Sequence, residues 1–201
     1  MLIWYLSRGA GIAAYATLSV ATAAGALASR RGDTRRAAAI ERRVVLQYLH
    51  RSAALTGLAL LALHIVTIAG DSYAHVGTAG ALLPFASGYR PVAVTFGLLA
   101  AYLLVAVALT GLLRSRFARS GKALRRWRGV HLVSYAAWAA AAWHFWTAGS
   151  DAHQQWARQV LLAGVAAVAL GVTVRLSGRP AEPALVRGAP ARQETSIGGV
   201  R

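Results

Sequence analysis

The chain has 201 residues, 57% hydrophobic and 14% charged, and its apolar residues come in long blocks. That composition excludes an ordinary soluble core and leaves room for four to six membrane spans of about 20 residues each. The net charge of +16 invites a nucleic-acid reading, but the arginines abut apolar blocks with no basic stripe interleaved with aromatics, which is positive-inside topology and argues against nucleic acid as a partner.

The first span is predicted over residues 2–29. It lacks the basic start of a secretory signal, and although Ala-Leu-Ala-Ser before Arg30 faintly resembles a cleavage site, a retained helix is expected. A basic loop, Arg30 to Arg43, leads to a second span over 44–69. A loop over 70–90 holds Asp71, His75 and Pro84, and Pro91 opens a third span to Leu113, at the helix position where its missing N–H matters least. A second basic loop, Arg114 to Arg128, precedes a fourth span over 129–148. A short connection over 149–157 leads to a fifth over 158–176. The Pro-, Gly-, Arg- and Ala-rich remainder, 177–201, reads as a disordered basic tail, and no internal repeat is visible. The expected architecture is thus an all-α integral membrane bundle of about five transmembrane helices over residues 1–176.

Lysine and arginine set its orientation. Six fall between Arg30 and Arg43, seven between Arg114 and Arg128 and five from Arg175 onward, against Arg8, Arg90 and Arg158 on the opposite side. The basic loops are therefore expected in the cytoplasm, with the N-terminus outside the cell membrane and the C-terminus inside. Trp4, Tyr5, Tyr89, Trp127, Trp146 and Trp156 then fall near the lipid–water interfaces, where aromatic belts belong.

The chain has no cysteine, and its single methionine is Met1. Disulfides, iron–sulfur clusters, thiolate ligation and covalent haem attachment are excluded, and histidine is almost the only strong metal ligand left. Of six histidines, His50 and His64 lie fourteen residues apart in the second span, and His131 and His144 thirteen apart in the fourth. Both spans run in the same direction, and at 1.5 Å per residue each pair is separated by roughly 20 Å along its helix. The result is two levels, one in each leaflet, each with one histidine from each of two helices, as two axially ligated b-type haems require. Spacing fourteen keeps His50 and His64 within roughly 40° of one face, whereas spacing thirteen sets His131 and His144 roughly 140° apart on an ideal helix. A tilt, π-bulge or kink would reconcile the fourth span with this scheme.

Gly57, midway between His50 and His64, and the alanines between His131 and His144 leave room for a flat ring, or equally serve close helix packing. Arg51 at the inner level and Arg8 or Arg90 at the outer one suit carboxylates such as haem propionates, or snorkel to the interface. Ionisable groups in a membrane are costly and usually functional, so four aligned histidines read as ligands. His75 and His153 fall in outer loops and read as solvated surface residues.

These paired histidines on two co-directional helices resemble the ferric reductase-like transmembrane domain, a superfamily of ferric-chelate reductases, NADPH oxidases and the haem subunit of a bacterial methionine sulfoxide reductase system. The opening Trp4-Tyr5-Leu6-Ser7-Arg8-Gly9 and the stretch from Pro84-Phe85 to Tyr89-Arg90-Pro91 resemble small actinobacterial members. The resemblance implies that His50 and His131 hold an inner haem and His64 and His144 an outer one, and that electrons cross the membrane from haem to haem. It departs from the larger members in two respects: five spans are expected rather than six, and the 25 residues after Leu176 carry no Gly-rich nucleotide loop. No built-in FAD or NAD(P)H site is expected. Membrane lipid surrounds such a chain, with a separate flavoprotein reductase or quinol as donor and a ferric chelate or flavin-bearing protein as extracytoplasmic acceptor, making it an oxidoreductase subunit. The alternative is a proton- or metal-coupled transporter using the histidines as a relay. The six acidic residues Asp33, Glu41, Asp71, Asp151, Glu182 and Glu194 all fall outside the predicted spans, which leaves such a relay without carboxylates.

Overall fold

Runs of alanine and leucine, the residues that give up least on entering a helix, carry most of the chain into helices in this computed structural model, which describes residues 2–30, 37–117 and 120–178. Seven helices occur among them: α1 (Leu2–Ala28), α2 (Ala37–Gly70), α3 (Gly77–Leu82), α4 (Pro91–Leu112), α5 (Arg114–Phe117), α6 (Gly121–Ala148) and α7 (Gln155–Leu176). Four of these, α1, α2, α4 and α7, are long and apolar enough to cross a membrane. The protein is an all-α, multi-pass membrane bundle. Helix α6 has 28 residues, but Arg125, Arg126, Arg128 and its polar aromatics dilute its apolar character.

Three helices begin earlier than hydropathy suggests, α2 at Ala37 rather than Val44, α6 at Gly121 rather than Gly129 and, by less than a turn, α7 at Gln155 rather than Arg158. Arginine, lysine and glutamate are good helix formers, so the helix continues where the apolar block stops. The start of α6 is fixed by Ser120, whose side chain accepts from the backbone N–H of Ala123 at 3.1 Å. The short helices α3 and α5 sit in stretches expected to be loops. The tail reading falls outside the described residues from 179 onward, as does the part of the first basic loop at 31–36.

Helix α1 is the central element. It packs along α2 and α7 and leans on α6, while α4 packs along α6. Its buried face is built from small residues, among them Ser7, Ala10, Ala14, Ala21 and Ala24, which let neighbouring backbones approach closely where lipid offers no hydrophobic drive. Gly164 and Gly171 of α7 do the same from the other side: a methyl group on Gly164 would lie 2.6 Å from the Tyr15 hydroxyl, and one on Gly171 3.0 Å from the Ala23 carbonyl. Several polar groups inside the bundle are paired, as a low-dielectric surround favours. Tyr15 donates to the Leu161 carbonyl at 3.0 Å, and the Trp138 indole donates to Ser19 Oγ at 2.9 Å. Helices α2 and α6 are not a packed pair; each rests on a neighbour and faces the other across a space.

Candidate functional site

That space is where the four span histidines meet. His50 of α2 faces His131 of α6 with ring centres 6.1 Å apart and planes crossed at 75°, and His64 faces His144 at 6.4 Å and 66°. The sequence pairing of levels is reproduced in both cases, and α6 achieves it as one continuous α-helix with no π-bulge. The rings are too far apart and too steeply crossed for a stacking contact. Two metal–nitrogen bonds of about 2.0 Å, plus about 1.1 Å from each nitrogen to its ring centre, put two axial imidazoles about 6 Å apart. The observed spacing suits a metal held between each pair.

Three of the four rings are fixed by main-chain carbonyls. His50 Nδ1 lies 2.8 Å from the Ala21 carbonyl, His64 Nδ1 2.8 Å from that of Ser7, and His144 Nδ1 2.8 Å from that of Ala93. A carbonyl only accepts, so Nδ1 carries the proton in each ring, and Nε2 keeps the lone pair that a metal needs. Ser7, fully buried, adds its own hydroxyl 3.2 Å from His64 Nδ1. Such partners fix the tautomer and orientation of a ligating histidine and raise its basicity.

Glycines make the close approach possible, and the sequence reading passed over them. A methyl group on Gly25 would lie 2.9 Å from His50 Nδ1, on Gly11 2.9 Å from His64 Nδ1, and on Gly97 2.6 Å from His144 Nδ1. Gly57, the glycine singled out from sequence, serves helix packing instead, with a methyl group there meeting Leu18 Cγ at 2.7 Å.

The His64–His144 level, the outer one by the expected orientation, opens into a cavity of about 340 Å³ walled by His64, His144, Gly11, Gly97 and Ala141. That volume lies within the roughly 300–1,000 Å³ usual for small-molecule and cofactor sites. Its outer rim carries Arg8, Tyr73, His75, Tyr89 and Asp151. Arg8 is half-buried, forms an ion pair with Asp151 and lies 4.1 Å over the Trp4 ring, and its buried Nε has no partner among the described residues. Of the two outer arginines, Arg8 reaches the cavity. Arg90 is exposed and donates to the Thr147 carbonyl, tying the loop before α4 to the end of α6. Arg51, next to His50 in the sequence, is exposed within α2.

No family model, curated protein or solved structure matches this chain. The chemistry must therefore be argued from the site itself. Among the described residues no group of three or more His, Asp or Glu side chains converges on one point. Each level offers two imidazoles, too few for a bare structural zinc, but the number that a haem takes when its macrocycle supplies the four equatorial nitrogens.

The remaining histidines stand apart from the pairs. His153 is exposed with its ring edge-on to Trp146 at 5.6 Å. His75 is also exposed, at a left-handed φ of 52°, and borders the mouth of the outer cavity rather than open surface alone.

Proposed function

We propose that this chain is a membrane electron carrier holding two b-type haems, an inner one between His50 and His131 and an outer one between His64 and His144. The observation that carries this reading is the spacing of the two ring pairs, 6.1 Å and 6.4 Å between centres. A b-type haem, when bound, supplies one-electron reduction and oxidation at each level.

The residues of the chain hold and tune that chemistry. His50, His64 and His144 present Nε2 because Ala21, Ser7 and Ala93 hold Nδ1–H. Gly11, Gly25 and Gly97 give the rings room, and the apolar walls of α2, α4 and α6 exclude water. Arg8, shared with Asp151 at the outer rim, and Arg51, next to His50, are the guanidinium groups suited to a propionate. The arginines at the starts of α2 and α6 support an orientation with the inner level toward the cytoplasm and the N-terminus outside the cell membrane. Electrons on this reading pass from a cytoplasmic flavoprotein or quinol to an extracytoplasmic acceptor, a ferric chelate or a flavin-bearing protein, as the resemblance to ferric reductase-like domains implies. A carboxylate relay for a transporter finds no support: Asp71 accepts from the N–H groups of Tyr73 and Ala74 in a turn, and Asp151 is engaged by Arg8, both at the outer end.

The test is the visible spectrum of the purified full chain with a pyridine haemochrome determination. Two haems per chain, reducible and low-spin, are expected. A preparation reconstituted with haem that shows no reducible absorption overturns the reading.

A further inference from the structure

Three ligand histidines share one device. Each ring lies against a glycine of a neighbouring helix and donates to the carbonyl four residues before that glycine: Gly25 with Ala21, Gly11 with Ser7, and Gly97 with Ala93. The geometry follows from the helix itself. The carbonyl of residue i−4 lies beside the side chain of residue i, and only where that side chain is a hydrogen can an imidazole reach the oxygen from outside.

His131 departs from this pattern. Repeating the fourteen-residue step from Gly97 along α4 leads to Gly111, with Val107 one turn before it. A methyl group on Gly111 would meet nothing within 4 Å, and the Val107 carbonyl accepts from Thr110 Oγ1 at 2.8 Å instead. His131 Nδ1 is buried and has no hydrogen-bond partner among the described residues. The cause is the thirteen-residue spacing from His144: one residue short of fourteen turns a side chain by about 100° around the helix, away from the glycine-lined face of α4. Trp127, one turn before His131 on α6, fills the vacated role. Its ring stacks on the imidazole with centres 5.0 Å apart and planes 20° from parallel. The indole is itself anchored, donating from Nε1 to the Thr110 carbonyl at 2.9 Å with the Arg114 guanidinium 5.5 Å over its ring.

We propose that Trp127 is a positioning residue for the inner site, holding by stacking the one ligand ring that no carbonyl holds, and that His131 is in consequence the most easily displaced of the four ligands. The proposal rests on the two-haem reading. An imidazole without an Nδ1–H acceptor is a weaker donor to iron, and loss of such a partner typically lowers metal affinity about 10- to 100-fold. Stacking restrains the tilt of the ring without supplying that polarisation. The inner level therefore depends on the indole more than the outer level depends on any single side chain.

The experiment uses the full-length chain in detergent, as wild type and as Trp127→Ala, Trp127→Phe and His131→Ala. In the ferric protein, Trp127→Ala is expected to perturb one low-spin electron paramagnetic resonance signal, the one that His131→Ala abolishes, and to raise carbon monoxide binding by the reduced inner haem about tenfold or more. Trp127→Phe, which keeps a stacking ring but loses the indole N–H, is expected to stay close to wild type. An unchanged His131-dependent signal in Trp127→Ala, or equal disturbance of both signals, overturns the proposal. A second arm needs no haem. In the haem-free chain with 15N-labelled histidine, three rings are expected as fixed Nδ1–H tautomers, and Trp127→Ala should move the His131 resonances alone. If wild type takes up no haem, the electron-carrier reading fails while this arm still decides the positioning role; unmoved His131 resonances there overturn it.

Discussion

Gly97 lies so close to the His144 ring that a methyl group in place of its hydrogen would stand 2.6 Å from Nδ1, the atom that donates to the Ala93 carbonyl at 2.8 Å. Gly97→Ala should therefore act on the outer site: the preference of a helix for alanine over glycine, about 1 kcal/mol, is offset by the crowding against the His144 ring and the loss of its buried hydrogen bond, each costing about 1–3 kcal/mol. The displaced ring should cost about 10- to 100-fold in outer-haem affinity, as loss of an orienting partner does at other metal sites. Gly11→Ala should behave in the same way, and Gly25→Ala should act on the inner haem instead. Haem titration with thermal unfolding of each variant checks this, and equal loss at both levels from any one glycine would contradict it.

The histidine levels were legible in the sequence because the rise of the helix sets their separation, and the rings face in pairs although thirteen residues is not a whole number of turns. The glycine seats were not read, although Gly11 and Gly25 lie fourteen residues apart on α1, the same interval as His50 and His64 on the helix packed against it. Gly57, on the same helix as His50 and His64, packs against Leu18; the room for the rings is on the neighbouring helices. The acceptors were illegible for a different reason. Ser7, Ala21 and Ala93 contribute main-chain oxygens, and no side-chain pattern marks a carbonyl. The awkward spacing of His131 and His144 was visible, but its remedy was not: α6 stays regular and one ring gives up its acceptor.

The proposed orientation rests on the arginines, and reporter fusions check it. A fusion near Lys122, at the start of α6, should report from the cytoplasm, and fusions near His75 and Asp151 from outside. A cytoplasmic signal at Asp151 would exchange the inner and outer assignments while leaving both ring pairs intact.

At the outer rim, Asp151 neutralises Arg8. Asp151→Asn removes a negative charge from the mouth of the outer cavity and leaves the guanidinium uncompensated. A net gain of positive charge favours the reduced, less positive iron, so the outer haem potential should rise by tens of millivolts, the size expected for a charge about 10 Å away at an effective dielectric near 20. The inner haem, roughly 20 Å further along the helices, should move much less. A potentiometric titration that resolves both haems is the measurement. A fall in the outer potential, or equal shifts of both, would show that Asp151 does not face the outer site.

On the two-haem reading, replacing the four paired histidines one at a time tests the pairing directly. His50 and His131 approach at 6.1 Å and His64 and His144 at 6.4 Å, each pair joining α2 to α6, so alanine at His50 should reproduce the spectrum of alanine at His131. Alanine at His64 should likewise match alanine at His144. The double replacement of His50 and His131 should leave one intact low-spin haem; loss of both haems in a folded protein would mean that the levels are not independent. Transmembrane electron flow should stop in all four single variants, because a chain of two carriers conducts only when both are present. His75 and His153 supply the control. Both are exposed and neither ring belongs to a facing pair, so alanine at either should leave two haems per chain, and loss of a haem from His75→Ala would place that residue, at the mouth of the outer cavity, among the ligands instead.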